Sequence, residues 1–161
     1  MPSVLTSRFD VWAILAACVV ALGAALVAQF GFGLAPCHLC TLQRLPYAFA
    51  AFTMLMAGPE PRVRALMLSL AAVIFLVGTG LAFFHVGVER HWWESACSGG
   101  DTLAGSAGGL LAKLAQGGAA PACDSVPFDV FGVSIAGMNL IVSPILALFA
   151  ANAAWRGWRN A

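Results

Sequence analysis

The sequence predicts an all-α protein, a transmembrane four-helix bundle with one long loop between its third and fourth helices. Three observations carry this expectation. Of the 161 residues, 61% are hydrophobic and only 9% charged. A soluble domain carries about 25% charged residues, so this chain lacks the polar surface to clothe a globule in water. Mean hydropathy is +0.89. The apolar residues gather in four segments, about 11–30, 40–57, 65–84 and 133–151, each close to the roughly 20 residues of helix that cross a bilayer core. The length suits a single integral membrane domain over residues 1–161, without repeats. A net charge of +1 supplies no basic field for nucleic acid.

The first ten residues read as a short polar lead with one cation, Arg8. Val11 to Ala28 is a run of 18 residues without a polar side chain, with Cys18 in its middle. A cleaved secretory signal has a shorter apolar core of about 7–15 residues, so this is expected to be an uncleaved first span. Gly31, Gly33 and Pro36 break it into a tight loop, about 31–39. In the second segment the largely apolar stretch 45–57 is too short to cross by itself. The helix is therefore expected to begin near Cys40, with Gln43 and Arg44 in its first turns and Pro46 where few helical bonds are lost. The third span carries Gly78 and Gly80, which permit close helix approach. The fourth carries Ser134, Asn139 and Ser143, with Pro144 as a kink site, and Trp155, Arg156, Trp158 and Arg159 form an interfacial anchor behind it. The long loop, about 86–131, holds Trp92, Trp93, Cys97, a Gly/Ala-rich middle and Cys123. A short helix lying on the membrane surface is expected around Leu110, Leu111 and Leu114.

Four spans put both termini on one side. That side holds Arg8, Arg62, Arg64, Arg156 and Arg159. The other holds Arg90, Lys113 and five acidic residues, with Arg44 at the boundary. The cation bias predicts cytoplasmic termini. Cys37, Cys40, Cys97 and Cys123 then face the outside, where disulfides persist.

The chemistry centres on Cys37-His38-Leu39-Cys40, followed by Gln43 and Arg44. Two cysteines three residues apart at a helix start can close a small disulfide, and the exposed N–H groups there favour a thiolate. A static disulfide, or two buried thiols, is the plain alternative. A zinc site is another, although zinc takes four ligands and only His38 adjoins the pair. Arg44 lies four residues beyond Cys40, on the same helical face. A cation at membrane depth is by default functional: it would favour the Cys40 thiolate or hold an anionic or carbonyl-bearing ligand. Its plain reading is an arginine reaching for the interface. Cys97 and Cys123 share the outer loop, where a bridge would be worth about 3–4 kcal/mol as a structural staple. Beside a second cysteine pair, on a glycine-rich arm, the same bridge could exchange electrons through mixed disulfides. His85, with Glu89 one turn on, sits at a depth similar to Arg44 and could give a proton or hydrogen bond to a ligand. Cys18 reads as a small buried hydrophobe, and His91 suggests no partner. Thiols outside and a cation at membrane depth need an acceptor that lives in lipid, and no haem, flavin or iron–sulfur pattern is present. Phe30, Phe32, Tyr47 and Phe84 could line its ring, or could equally be packing.

C-x-x-C-x-x-x-R at the start of the second span, four spans, cytoplasmic termini and a wide cysteine pair in the outer loop together resemble the DsbB family, disulfide bond formation protein B of bacterial inner membranes. The resemblance covers essentially the whole chain. It implies a thiol–quinone oxidoreductase that reoxidises a periplasmic DsbA-like thioredoxin-fold partner and passes the electrons to ubiquinone or menaquinone. It implies redox disulfides Cys37–Cys40 and Cys97–Cys123, with the partner attacking Cys97, Cys123 attacking Cys37, and Cys40 released as a thiolate toward the quinone. Arg44 would hold the quinone, with His85 as a weaker match beside it, and no metal takes part. Gln43 departs from the acidic residue that some members carry before the arginine, and the loop middle is unusually rich in Gly and Ala. Two other classes stay open: an enzyme resembling the vitamin K epoxide reductase group, and a non-enzymatic membrane protein with two structural disulfides.

Overall fold

A computed structural model describes residues 2–93, 123–124, 129–130 and 132–160. The chain is mostly helical. Helix α1 (Pro2–Leu26) runs into a π-helical turn, Val27–Gly31. Two short helices follow, α2 (His38–Leu42) and α3 (Arg44–Leu55). Then come the long α4 (Pro61–Glu89), a minimal antiparallel pair of strands, β1 (Asp129–Val130) and β2 (Val133–Ser134), and α5 (Ile135–Arg159).

Among the described residues, three helical stretches are long and apolar enough to cross a membrane: Arg8–Gly31, Pro61–Glu89 and Ile135–Arg159. The second expected span, 40–57, takes another form. It is divided at Gln43 into α2 and α3. The physical reason is Pro46, which has no N–H to give the Leu42 carbonyl and whose ring crowds it; α2 ends at Leu42. The 12 residues of α3 cover about 18 Å, short of the roughly 30 Å hydrocarbon core.

Boundaries shift elsewhere too. The polar lead is helical from Pro2, a residue whose fixed φ suits a first helical turn. Helix α4 runs past the expected end at 84 to Glu89. It stops in a Schellman motif: Trp92 N–H bonds Gly87 O at 2.8 Å, His91 N–H bonds Val88 O at 3.0 Å, and His91 takes φ +55°. That is the role of His91 that the sequence left blank. Val133 and Ser134, expected in the fourth span, form β2 instead, and Ser134 caps α5 by accepting the Gly137 N–H at 3.0 Å. Helix α5 continues through Pro144. The surface helix expected at Leu110 to Leu114, and Cys97, lie outside the described residues.

The core is built from small residues. Ala71 and Ala72 of α4 cluster with Ala147, Ala150, Ala153 and Ala154 of α5, around Phe75, Leu68, Met54, Ile14 and Cys18. Small side chains let helices approach closely when lipid supplies no hydrophobic drive between them, and α4 with α5 forms the most extensive helix pair. A Cβ on Gly78 would lie 3.1 Å from Pro46, so that glycine is a contact as expected; Gly80 faces open space and is not. Large apolar side chains point outward from every long helix, among them Trp12, Val20, Phe49, Phe52, Leu66, Val77, Ile141 and Leu148. That inversion suits lipid as the solvent. At the terminal end the Arg156 guanidinium pairs with the buried Asp10 carboxylate at 3.0 Å, which ties α5 to α1 there. Arg64 closes the same end by donating to Pro59 O at 2.8 Å.

Candidate functional site

The opposite end carries the thiols. Cys37 is the N-cap of α2, with extended backbone, and its Sγ accepts the Cys40 backbone N–H at 3.2 Å. This is the helix-start geometry that steadies a thiolate. The two Sγ atoms lie 2.9 Å apart. Cys37 is 5% exposed and Cys40 half-buried. The Cys37 thiol is lowered from its ordinary 9.0 to about 4, chiefly by its hydrogen bond with Cys40 and further by His85, against burial, which raises it.

His38, the histidine adjacent in sequence, is exposed. The imidazole that meets the sulfur comes from α4: His85 Nε2 is 3.7 Å from Cys37 Sγ, and His85 is 2% exposed. The two sulfurs and the imidazole have their donor atoms within 4.8 Å of one another. Such a trio is a partial donor set for a soft cation. Its chemistry depends on which nitrogen of His85 carries the proton, and the surrounding bonds decide that. Gln43 Nε2, which can only donate, is 2.8 Å from His85 Nδ1. Nδ1 therefore accepts, and in the neutral ring the proton sits on Nε2, toward Cys37. Glu89 Oε1 lies 3.9 Å from the same Nε2, while its Oε2 accepts from the Ser134 hydroxyl at 2.5 Å.

The bonding continues inward. Asn139 Nδ2 donates to Gln43 Oε1 at 2.7 Å. Asn139 Oδ1 accepts from Tyr47 at 2.5 Å and from Ser143 at 2.8 Å. Tyr47 is buried, its ring edge-on to Phe75 at 5.8 Å. It is a member of this network, whereas Phe30 and Phe32 are 77% and 76% exposed. Phe84 stacks on Trp93 at 5.6 Å.

Arg44 bonds to the first helical segment. Its guanidinium donates to Gln29 Oε1 at 2.6 Å and to Ala25 O at 3.5 Å, reaching α1 and the π-helical turn. Among the described residues it has no carboxylate partner. Gln29 is a site residue that sequence reasoning missed. Its signal was a lone amide near the end of an apolar span. Likewise Gln43 with Tyr47, and Asn139 with Ser143, are polar pairs at four-residue spacing inside apolar segments; that spacing marks a shared helix face.

The second cysteine pair is half visible. Cys123 is disulfide-bonded and 0% exposed. Cys97, the partner expected for it, lies outside the described residues. Cys123 packs in one buried cluster with Cys37, Leu39 and Val88, with Cys40, Leu42 and Trp93 against it. Cys18 is buried in the other core cluster, as expected.

A capped dithiol next to an imidazole and a bridged cysteine, in a chain with three helices apolar enough to cross a membrane, defines a membrane thiol–disulfide protein. Comparison with known proteins gives the family: the chain matches the family described as "Disulfide bond formation protein DsbB" over residues 7–153, and it belongs to that family. It is 33% identical to disulfide bond formation protein B of Aromatoleum aromaticum over 142 residues, 84% of each chain. It is 30% identical to the protein of that name from Herminiimonas arsenicoxydans over 156 residues, 93% of this chain and 96% of that one. A third, from Chromohalobacter salexigens, is 36% identical over 76 residues, 45% of this chain and 44% of that one. No solved structure matches significantly. Membership makes this a membrane protein of disulfide bond formation and an oxidoreductase.

Proposed function

We propose that the chain is a thiol–quinone oxidoreductase of a bacterial inner membrane, reoxidising a periplasmic DsbA-like thioredoxin-fold protein. In this reading it is a single four-span domain, with α2 and α3 together as the second span and both termini cytoplasmic. The observation that carries the reading is the burial of disulfide-bonded Cys123 in one cluster with Cys37. A thiolate partner attacks Cys97 of the Cys97–Cys123 bridge, and Cys123 leaves. Cys123 then attacks Cys37 of the Cys37–Cys40 disulfide, and Cys40 leaves with the electron pair. Buried against Leu39, Val88 and Trp93, this exchange is shielded from competing thiols.

Arg44 fits an acceptor that carries carbonyl oxygens. Its partners among the described residues are neutral oxygens, so they leave its charge uncompensated and its remaining N–H groups can donate. The partner's second thiolate then resolves its mixed disulfide with Cys97, Cys97 rejoins Cys123, and Cys37 is freed as a thiolate beside Cys40; a quinone held at Arg44 would supply the two-electron, two-proton sink for that dithiol as the Cys37–Cys40 bridge re-forms. His85 holds a proton on Nε2 beside Cys37, and Gln29 orients the guanidinium.

The test mixes purified protein, a quinone and a reduced thioredoxin-fold protein, and follows quinone absorbance. Cys40→Ser is expected to abolish quinone reduction and Cys97→Ser to block turnover with the protein partner. Wild-type rates from Cys40→Ser would overturn the mechanism. Arg44→Ala is expected to weaken apparent quinone affinity, and an unchanged affinity would remove Arg44 from the site.

A further inference from the structure

The thiol–quinone mechanism uses Cys37, Cys40, Arg44 and His85, and leaves a polar chain from α5, with Asn139 half-buried and Ser143 buried, without a task. Asn139 is 96 residues from Gln43 in sequence, yet their amides bond at 2.7 Å. Every bond in this chain has a direction. The Tyr47 and Ser143 hydroxyls both give their protons to Asn139 Oδ1. That turns the Asn139 amide so that its NH₂ faces Gln43 Oε1. Gln43 in turn presents its own NH₂ to His85 Nδ1. Polarity is relayed through two amides to one ring nitrogen, and each amide has a donor end and an acceptor end fixed by its neighbour.

We infer that Asn139 is a positioning residue: acting through Gln43, it holds His85 as the tautomer with its proton on Nε2, aimed at Cys37 Sγ. The inference rests on the reading of Cys37–Cys40 as the redox pair. The imidazole lies 3.7 Å from the sulfur, where an Nε2–H supports negative charge each time Cys37 is freed from a disulfide. The other tautomer would offer a bare lone pair to a thiolate and repel it. It would also complete a Cys₂His donor set for a soft metal. The relay therefore selects thiol chemistry over metal binding with the same three side chains.

Among the described residues, the groups around this point are few. Cys40 faces Cys37 from α2; Glu89 faces His85 from α4; Gln43 and Tyr47 meet the network from the α2–α3 segment, and Asn139, Ser143 and Ser134 from α5 and its cap. Cys123 packs beside Cys37 as a bridged cysteine, with Asp124 next in sequence. Of these groups, Glu89 shares His85 Nε2 with the sulfur, and its carboxylate also prefers that nitrogen protonated.

The test reverses the relay. Asn139→Asp replaces the donating end with an acceptor, so Gln43 must turn its NH₂ toward the new carboxylate and its oxygen toward His85, which then needs a proton on Nδ1. Gln43→Glu imposes the same demand one step closer and serves if the first variant folds poorly. The full-length protein, reduced and labelled with ¹⁵N,¹³C-histidine, is read by NMR in detergent. Wild type is expected to show a proton on Nε2 and a bare Nδ1 at His85, and either variant a protonated Nδ1. The acid fall-off of Cys37 alkylation should move up by about one pH unit in the variants, the effect of losing one weak donor to the thiolate, and Asn139→Gln should retain the wild-type tautomer. A bare Nδ1 in a folded Asn139→Asp or Gln43→Glu variant overturns the inference and leaves the redox reading standing. Wild-type turnover by Cys37→Ser, in contrast, overturns the redox reading whatever the tautomer.

Discussion

Reduced protein should alkylate at Cys37 under acid conditions where ordinary thiols are silent. The group is lowered from 9.0 to about 4, so its thiolate is present above about pH 4 and lost below it. At pH 5 a thiol of pKa near 9 is about one ten-thousandth ionised, whereas Cys37 is about nine-tenths ionised. Nucleophilicity falls with acidity, with a Brønsted slope of about 0.4–0.5, which removes roughly 200-fold over this interval. The remainder is a rate about 50-fold above an ordinary cysteine at pH 5, and near parity at pH 7. The assay is iodoacetamide labelling from acid to neutral pH, with the Cys37 peptide quantified by mass spectrometry. A flat profile above about pH 5, falling off near pH 4, is expected. Cys40→Ala removes the largest contribution and should move the fall-off upward. A wild-type rate that climbs about tenfold per pH unit through the neutral range would refute the assignment of charge to Cys37.

Other perturbations follow from packing. Gly87→Val sets a Cβ into the Trp93 ring; Trp93 must leave the Cys37–Cys123 cluster, and overpacking of this kind costs about 1–3 kcal/mol, readable as a lower unfolding midpoint in detergent. His91→Gly relieves a left-handed non-glycine residue and should stabilise the fold by about 1 kcal/mol, with turnover retained; a lower midpoint would count against the Schellman assignment. Arg156→Leu leaves the buried Asp10 carboxylate without its partner and should cost about 1–3 kcal/mol, measured the same way, with Cys37 alkylation at acid pH unchanged because the pair lies at the other end of the bundle.

The sequence was most legible where the physics is local. Apolar runs long enough to span lipid announce themselves by composition, and α1, α4 and α5 overlap three of the expected segments while running past their expected bounds, α1 from Pro2, α4 to Glu89 and α5 to Arg159. The second span was legible as apolar but not as divided, because the break at Gln43 depends on one missing N–H, at Pro46, weighed against packing. Cys37 and Cys40 were legible from spacing alone. Their imidazole was not: the neighbour in sequence, His38, is exposed, and the one in space, His85, is 48 residues away from Cys37. Arg44 was legible as a cation at membrane depth but its partners were not: it donates to Gln29 and Ala25 O, since a long guanidinium goes to whichever oxygens a neighbouring helix offers.

By itself, then, the sequence determined the solvent this protein folds in, the apolar segments that meet it, and the thiols it carries, because transfer into lipid and cysteine spacing are properties of short stretches of chain. Only the tertiary structure decided which polar groups meet. Gln43, His85 and Asn139 come from three different parts of the bundle, and a buried amide or imidazole has to be satisfied by whatever the opposing helix presents. That requirement joins α5 to the dithiol on α2 and orients the proton beside Cys37, and no single segment contains it.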